Sequence, residues 1–210
     1  MIPIFKMYLL IPAISLTLLK FNSTVPPSGA GYKAGEIASD FKLRNTDGKM
    51  VSLSDYKNCK GYIVVFTCNH CPFAKAYEQR VINLHQKYSS AGFPLIAISS
   101  NDKNIEPEDS YENMQAKHYP FPYLYDETQE IAHIYGATRT PHVFLLQKTN
   151  KGNKVVYVGA IDDNYEDASD AKDKYLENAI AEISSGKKVT LDHTKALGCT
   201  IKWKKTMEGN

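Results

Sequence analysis

The sequence predicts an α/β protein in which helices cover both faces of a mixed central sheet. Two apolar runs rich in β-branched residues, Tyr62–Phe66 and Pro94–Ser99, have the length of buried strands, and an amphipathic segment separates them. Two later runs, His142–Gln147 and Val155–Ile161, are joined only by a polar loop at 148–153, which is typical of an antiparallel hairpin. Parallel strands joined by a helix, together with a hairpin, predict a mixed sheet.

Composition excludes several classes of partner. The chain has 210 residues, of which 43% are hydrophobic and 23% charged, as in ordinary globular proteins. Its 25 basic residues fall to 23 without Lys6 and Lys20, and they then match the 23 acidic residues. We therefore expect neither nucleic acid nor an anionic membrane as the main partner. Four cysteines are too few for a disulfide scaffold, so cysteine chemistry should be local.

The N-terminus resembles an export signal. Residues 1–23 contain Lys6 and then the 13-residue apolar run Met7–Leu19, which is short for a spanning helix of roughly 20 residues. We predict a signal peptide or short anchor, export to the cell envelope or periplasm, and membrane association if the segment stays uncleaved. Residues 24–33 contain a Pro-Pro-Ser-Gly sequence and are predicted to be a linker.

The next elements precede the central strand. The segments Phe41–Arg44 and Met50–Leu53 alternate in polarity around Asp47-Gly48, a strong turn dipeptide. This pattern predicts an N-terminal β-hairpin extension. A domain is expected over 34–186.

The central strand leads into a Cys-x-x-Cys pair, Cys68 and Cys71, and Pro72 follows. Apolar residues then recur every three or four positions, which predicts one buried helical face: Phe73, Tyr77, Val81, Leu84 and Tyr88. Such a helix would hold both sulfurs at its N-terminus, where unpaired N–H groups stabilise a thiolate. This arrangement predicts thiol–disulfide exchange.

His70 lies beside Cys71, and a nearby imidazole favours a thiolate. We therefore expect His70 to support the pair and the pKa of Cys68 to be lowered. A zinc site would need two more ligands. Eight residues separate Cys59 from Cys68, but a second Cys-x-x-Cys is lacking. We expect neither a metal nor an organic cofactor.

The second half of the chain predicts two further helices before the hairpin, at about 106–117 and 127–135. A closing helix after the hairpin has a regularly spaced apolar face: Tyr175, Leu176, Ala179, Ile180 and Ile183. Asp162 and Asp163 are interpreted as part of a solvated turn. Residues 187–210 form a polar C-terminal tail.

The tail contains Cys199, for which the residues leave three interpretations open. It could fold back as a third redox thiol, pair with Cys59, or be a buried bystander. Cys199 is therefore a candidate site residue.

Five segments resemble the thioredoxin fold, and more narrowly the redoxins of the peroxiredoxin-like (AhpC/TSA) branch found in bacteria: Phe66–Phe73, Phe121–Gln129, Gly136–His142, Gly159–Asn164 and Gly198–Trp203. The resemblance extends over about residues 34–186. It implies that Cys68 is an exposed nucleophile and Cys71 the resolving thiol. It also implies that Thr140-Pro141 is a cis-proline turn that faces them, binds extended substrate backbone and keeps metal away.

Two departures from these families bear on activity. Thioredoxins carry a buried acid in the strand before the cysteines, and Tyr62–Phe66 has none. Peroxiredoxins carry Pro seven residues, and Thr or Ser three residues, before the peroxide-reacting cysteine. Counting back from Cys71 gives Val64 and Cys68.

We therefore expect a thiol–disulfide oxidoreductase that acts in cell redox homeostasis. Its partners would be disulfides or dithiols in proteins or small molecules. The alternatives are a thiol-dependent peroxidase with antioxidant activity and a redox-inactive, peptide-binding thioredoxin-like module.

Overall fold

The computed structural model describes residues 31–205. The predicted signal peptide, 1–23, and residues 24–30 of the predicted linker, 24–33, lie outside this range. The strands in chain order are β1 (Ile37–Ala38), β2 (Lys42–Asn45), β3 (Met50–Ser52), β4 (Gly61–Phe66), β5 (Leu95–Ser99), β6 (Tyr123–Tyr125), β7 (Arg139–Thr140), β8 (His142–Thr149), β9 (Gly152–Gly159) and β10 (Cys199–Thr200). The α-helices are α1 (Pro72–Tyr88), α2 (Tyr111–Gln115), α3 (Glu130–Tyr135) and α4 (Tyr175–Ser184).

Eight strands form one sheet in the order β1-β9-β8-β4-β5-β6-β2-β3. The central strands β4, β5 and β6 are parallel neighbours, and every other pairing in this sheet is antiparallel. The predicted mixed sheet is confirmed. β7 and β10 form a separate antiparallel pair.

Side chains of β4 alternate between two apolar cores, one on each face of the sheet. Ile63 and Val65 belong to the core that contains most of the buried residues of α1 and those of α2 and α4. Val64 and Phe66 belong to the core that contains the buried residues of α3. Helices therefore cover both faces, as predicted. Among residues 31–205, no helix is both long and apolar enough to span a bilayer.

The predicted β-hairpin extension is confirmed. β2 and β3 pair with Leu43 opposite Val51. Gly48 takes φ 85° in the turn, a conformation that glycine adopts without steric cost. The hairpin adds to the edge of the sheet because β2 also pairs with β6.

The single helix predicted at 106–117 is wrong. A 3₁₀ turn, Pro107–Asp109, and the short helix α2 replace it. The break occurs at Ser110, whose backbone is extended (ψ 154°) and whose side chain accepts a hydrogen bond from the N–H of Asn113. Ser110 thus caps a new helix because its hydroxyl satisfies a free N–H group.

The part of the tail that the structure describes, 187–205, packs against the domain. Thr194 accepts a hydrogen bond from Tyr157 or donates one to it (2.6 Å), and it accepts the N–H of Ala160 at 3.0 Å. Farther along, Trp203 stacks on His133 with ring centroids 4.1 Å apart. The described part of the tail is therefore held against β9 and α3.

Candidate active site

Cys68 and Cys71 lie at the junction of β4 and α1. Cys71 is the N-cap of α1, so its sulfur lies beside the backbone N–H groups of the first helical turn. Unpaired N–H groups at a helix N-terminus carry partial positive charge, so this position favours a thiolate at Cys71.

Thr140 contacts both sulfurs. The Thr140–Pro141 peptide bond is cis, as the resemblance implied. The Thr140 hydroxyl lies 3.1 Å from the Sγ of Cys68, and the Thr140 carbonyl accepts a hydrogen bond from the Sγ of Cys71 at 3.2 Å. The structure thus brings the predicted supporting turn into contact with the predicted catalytic pair.

Both sulfurs are buried, with Cys68 4% and Cys71 0% exposed. A hydrogen bond between the two thiols raises the pKa of Cys68, and burial and the charge of Asp109 add to this rise. The same bond lowers the pKa of Cys71 to about 4, with further donors from Cys199 and Ala74. The exposed position implied for Cys68 is therefore wrong, and the shift in its pKa is opposite to the one expected. The helix N-terminus instead favours a thiolate at Cys71, the N-cap residue.

A buried carboxylate, Asp109, holds the segment between the cysteines. Nδ1 of His70 donates to it at 2.5 Å, and the backbone N–H groups of Asn69 and His70 donate at 2.6 and 3.1 Å. The side chain of Asn101 donates at 2.7 Å. All four partners are N–H donors, which suits an acceptor-only carboxylate. The ring of His70 is thereby fixed, with Nε2 3.8 Å from a carboxylate oxygen of Glu106.

Asp109 is the site residue that sequence reasoning missed. No acid lies in β4, but the 3₁₀ turn Pro107–Asp109 supplies one from another direction. Its negative charge raises the pKa of Cys68. The only sequence signal was an acidic, proline-containing segment, which is equally typical of a helix start.

Cys199 lies beside Cys71. Its backbone N–H donates to the Sγ of Cys71 at 3.4 Å, and its thiol lies close enough to lower the pKa of Cys71. Cys59 instead packs in the core on the α3 side and donates to the carbonyl of Tyr56 at 3.2 Å. The structure thus favours the third-thiol interpretation over pairing with Cys59.

Two charged residues near the site are occupied within the protein. Arg139 donates to the carbonyl of Gly198 at 2.9 Å and so holds the tail. Asp162 is buried, accepts from the hydroxyl of Tyr77 at 2.7 Å and forms an ion pair with Arg80. The interpretation of Asp162 as part of a solvated turn is wrong, because α1 supplies both of these partners.

Three side chains could offer ligand atoms to a metal ion. Atoms of Cys68, His70 and Asp109 lie within 4.8 Å of one another. However, Nδ1 of His70 already donates to Asp109, and coordination there would break this bond. The geometry favours a hydrogen-bonded network.

Comparisons with known proteins agree with this description. The AhpC/TSA family model matches residues 34–157. Thiol-disulfide oxidoreductase ResA of Bacillus subtilis (strain 168) is 27% identical over 122 residues, which make up 58% of this chain and 66%, just under two thirds, of ResA.

Two solved structures cover more of the chain. An uncharacterized conserved protein from Geobacillus kaustophilus is 35% identical, with a TM-score of 0.77 over 86% of this chain and 97% of that one. A hypothetical protein from Sinorhizobium meliloti 1021 is 31% identical, with a TM-score of 0.76 over 85% and 98%. The predicted thioredoxin-like fold is confirmed by similarity to solved structures.

Proposed function

Because the chain belongs to the AhpC/TSA family and has an oxidoreductase relative, we propose that it is a thiol–disulfide oxidoreductase that uses Cys68 and Cys71. One observation carries the proposal. The sulfur of Cys71 lies at the N-terminus of α1, and Thr140 contacts both this sulfur and that of Cys68, at 3.2 and 3.1 Å. This is the arrangement that disulfide exchange requires, since a stabilised thiolate has a second thiol within reach.

The reaction is a two-step exchange with a disulfide-bonded partner. The Cys71 thiolate attacks one sulfur of the partner, the partner's S–S bond breaks, and its second sulfur leaves as a thiol after taking up a proton. Cys68 then loses its proton and attacks the Sγ of Cys71. The Cys68–Cys71 bond forms, the mixed disulfide breaks, and the partner leaves fully reduced. The reverse sequence would oxidise a dithiol partner.

The setting of this reaction is part of the proposal. The apolar run in residues 1–23 supports export, and hence a role in redox homeostasis of the cell envelope. Candidate partners are disulfides or dithiols of proteins or small molecules.

Reduction of insulin by dithiothreitol tests the function. We expect the wild-type protein to accelerate the reaction, Cys71→Ser to abolish the acceleration and Cys68→Ser to lower it strongly. Cys59→Ser is the matched control, because Cys59 lies outside the cluster of site cysteines, and it should retain wild-type activity. Wild-type activity in Cys71→Ser would refute the proposal.

A thiol peroxidase is the second candidate, favoured by the lowered pKa of Cys71. The Cys71 thiolate would attack a peroxide, break the O–O bond, become a sulfenic acid and release an alcohol or water. Rapid peroxide consumption with a trapped sulfenic acid at Cys71 would support it. The Pro and Thr or Ser that peroxiredoxins place before their cysteine are replaced here by Val64 and Cys68. This difference makes disulfide exchange the stronger proposal.

A further inference from the structure

We propose that Cys199 is a third redox thiol and that Cys71 is shared by two alternative disulfides, Cys68–Cys71 and Cys71–Cys199. The proposal rests on the proposed exchange activity and adds to it a second resolving thiol on the C-terminal tail.

The first line of evidence is the position of Cys71 between two thiols. The backbone N–H of Cys199 donates to its sulfur at 3.4 Å, and the thiols of Cys68 and Cys199 both lie close enough to lower its pKa. The three cysteines form one apolar cluster with Ala74 and Phe73. Either neighbour can therefore reach the sulfur of Cys71.

The second line of evidence is that the tail holds Cys199 in this position. Cys199 lies opposite Thr140 in the pairing of β10 with β7, and the N–H of Ile201 donates to the carbonyl of Thr138 at 3.1 Å. A Cβ at Gly198 would lie 2.1 Å from the carbonyl oxygen of Thr140, so only glycine permits this approach. The contact between Cys199 and Cys71 is thus part of the fold.

Two side chains clamp the tail beyond Cys199. The side-chain amide of Gln129 donates to the carbonyl of Lys202 at 2.8 Å and accepts the N–H of Lys204 at 2.7 Å. The N–H of Lys202 donates to Asn101 at 2.8 Å, and Asn101 also donates to Asp109. One hydrogen-bonded network therefore joins the tail to the carboxylate that holds the Cys-x-x-Cys segment.

The third line of evidence is the edge that the tail occupies. β10 pairs with the residues directly before Pro141, where an extended partner chain would also pair. The tail therefore presents Cys199 to Cys71 as an internal substrate. Cys199 is half-buried, whereas Cys68 and Cys71 are fully buried.

The exchange step is balanced within the chain. Cys199 loses its proton, and its sulfur attacks the Sγ of Cys71 in the Cys68–Cys71 disulfide. The Cys71–Cys199 bond forms, the Cys68–Cys71 bond breaks, and Cys68 leaves and takes up the proton. No external oxidant is consumed. The same attack on a mixed disulfide between Cys71 and a partner would release the partner's thiol.

The test uses the full chain with selected cysteines replaced. Cys59→Ser/Cys68→Ser leaves Cys71 and Cys199, and Cys68→Ser/Cys199→Ser leaves Cys59 and Cys71 as a matched control. Each variant is equilibrated with oxidised and reduced glutathione, quenched with acid and mapped by non-reducing peptide mass spectrometry. Circular dichroism verifies the fold, and Cys68→Ala replaces any Cys68→Ser variant that does not fold.

We expect a Cys71–Cys199 disulfide in most molecules of the first variant and no Cys59–Cys71 disulfide in the control. In the insulin assay, Cys68→Ser should retain activity that Cys68→Ser/Cys199→Ser lacks. Failure of Cys71–Cys199 to exceed the control linkage would overturn the proposal. If Cys199→Ser still forms Cys68–Cys71 and reduces insulin, the proposed function survives that failure; if it does neither, the proposed function fails instead.

Discussion

Nδ1 of His70 donates to the buried carboxylate of Asp109 at 2.5 Å, across 39 positions of the sequence. This contact ties the Cys-x-x-Cys segment to the loop that follows β5. It fixes His70, one of the two residues between the cysteines, and it places a negative charge near Cys68. Asp109 is therefore both a positioning residue and an electrostatic influence on the pair.

Asp109→Asn should destabilise the protein by roughly 2–3 kcal/mol, because an amide cannot accept four N–H donors and leaves some of them buried without a partner. Urea unfolding of the reduced protein measures the change. Asp170→Asn, at an exposed position, is the control and should change the free energy of unfolding by less than about 0.5 kcal/mol. Equal stability of the two variants would contradict the role of Asp109.

The lowered pKa of Cys71, about 4, predicts a thiolate that persists at pH 6. Thiolate absorbance near 240 nm should titrate well below the free-thiol value of about 8.5 in the reduced wild-type protein. Cys71→Ser should lose this absorbance at pH 6. Cys68→Ala removes the thiol that lowers the pKa of Cys71 most and should raise this pKa. Cys68→Ser should raise the pKa of Cys71 less, because the serine hydroxyl can still donate a hydrogen bond. A thiolate at pH 6 in Cys71→Ser would show that Cys68 is the acidic thiol.

Gly198→Ala should detach the tail from the site, because the added Cβ would lie 2.1 Å from the carbonyl oxygen of Thr140. We expect alkylation of reduced Cys71 by iodoacetamide to accelerate about tenfold or more, equivalent to about 1.4 kcal/mol of lost docking. Gly186→Ala is the control for an added Cβ, since Gly186 has no neighbouring atom within 4 Å; its φ of 75° adds a backbone strain that Gly198→Ala does not. Equal rates in the two variants would exclude a covering role for the tail.

The lowered pKa of His142 predicts that the protein loses stability in acid. Burial, His193 and Arg139 lower the pKa of His142 to about 4 from an ordinary value of 6.5. The folded state therefore binds this proton less readily than the unfolded state. The contribution of His142 to stability is complete above pH 6.5 and decreases as the pH falls towards 4, by up to about 3 kcal/mol.

The comparison variant is His142→Asn, because Oδ1 of asparagine can accept the N–H of Thr138 as Nδ1 of His142 does. Urea unfolding at pH 7 and pH 4.5 should show a smaller difference in this variant than in the wild type. His85, whose pKa is also lowered by burial, is present in both proteins and cancels. The same pH difference in both proteins would exclude His142 as its source.

Local patterns predicted much of the fold. The apolar run of β4, the turn between β2 and β3 and the apolar face of α1 each lie within a short segment, so their periodicity could be read directly. The cis turn at Thr140-Pro141 came from family resemblance, because the dipeptide alone does not specify a cis bond.

Two parts of the site could not be predicted, because both depend on long-range contacts. Asp109 lies in a segment with the composition of a helix start, and its partner His70 is 39 positions away. β10 contains two residues, too few for any periodicity, and it pairs with a strand about 60 positions earlier. Only Cys199 and the resemblance of the segment Gly198–Trp203 marked the tail as more than a polar extension.

The chain separation of the cysteines has a consequence for how the protein becomes oxidised. Cys68 and Cys71 are three positions apart, whereas Cys71 and Cys199 are 128 positions apart. Closing the longer loop in an unfolded chain costs about 5 kcal/mol of chain entropy, while the short loop needs no tertiary structure. A newly made chain in an oxidising compartment would therefore acquire Cys68–Cys71 first. Cys71–Cys199 could follow only by internal exchange after the tail has docked.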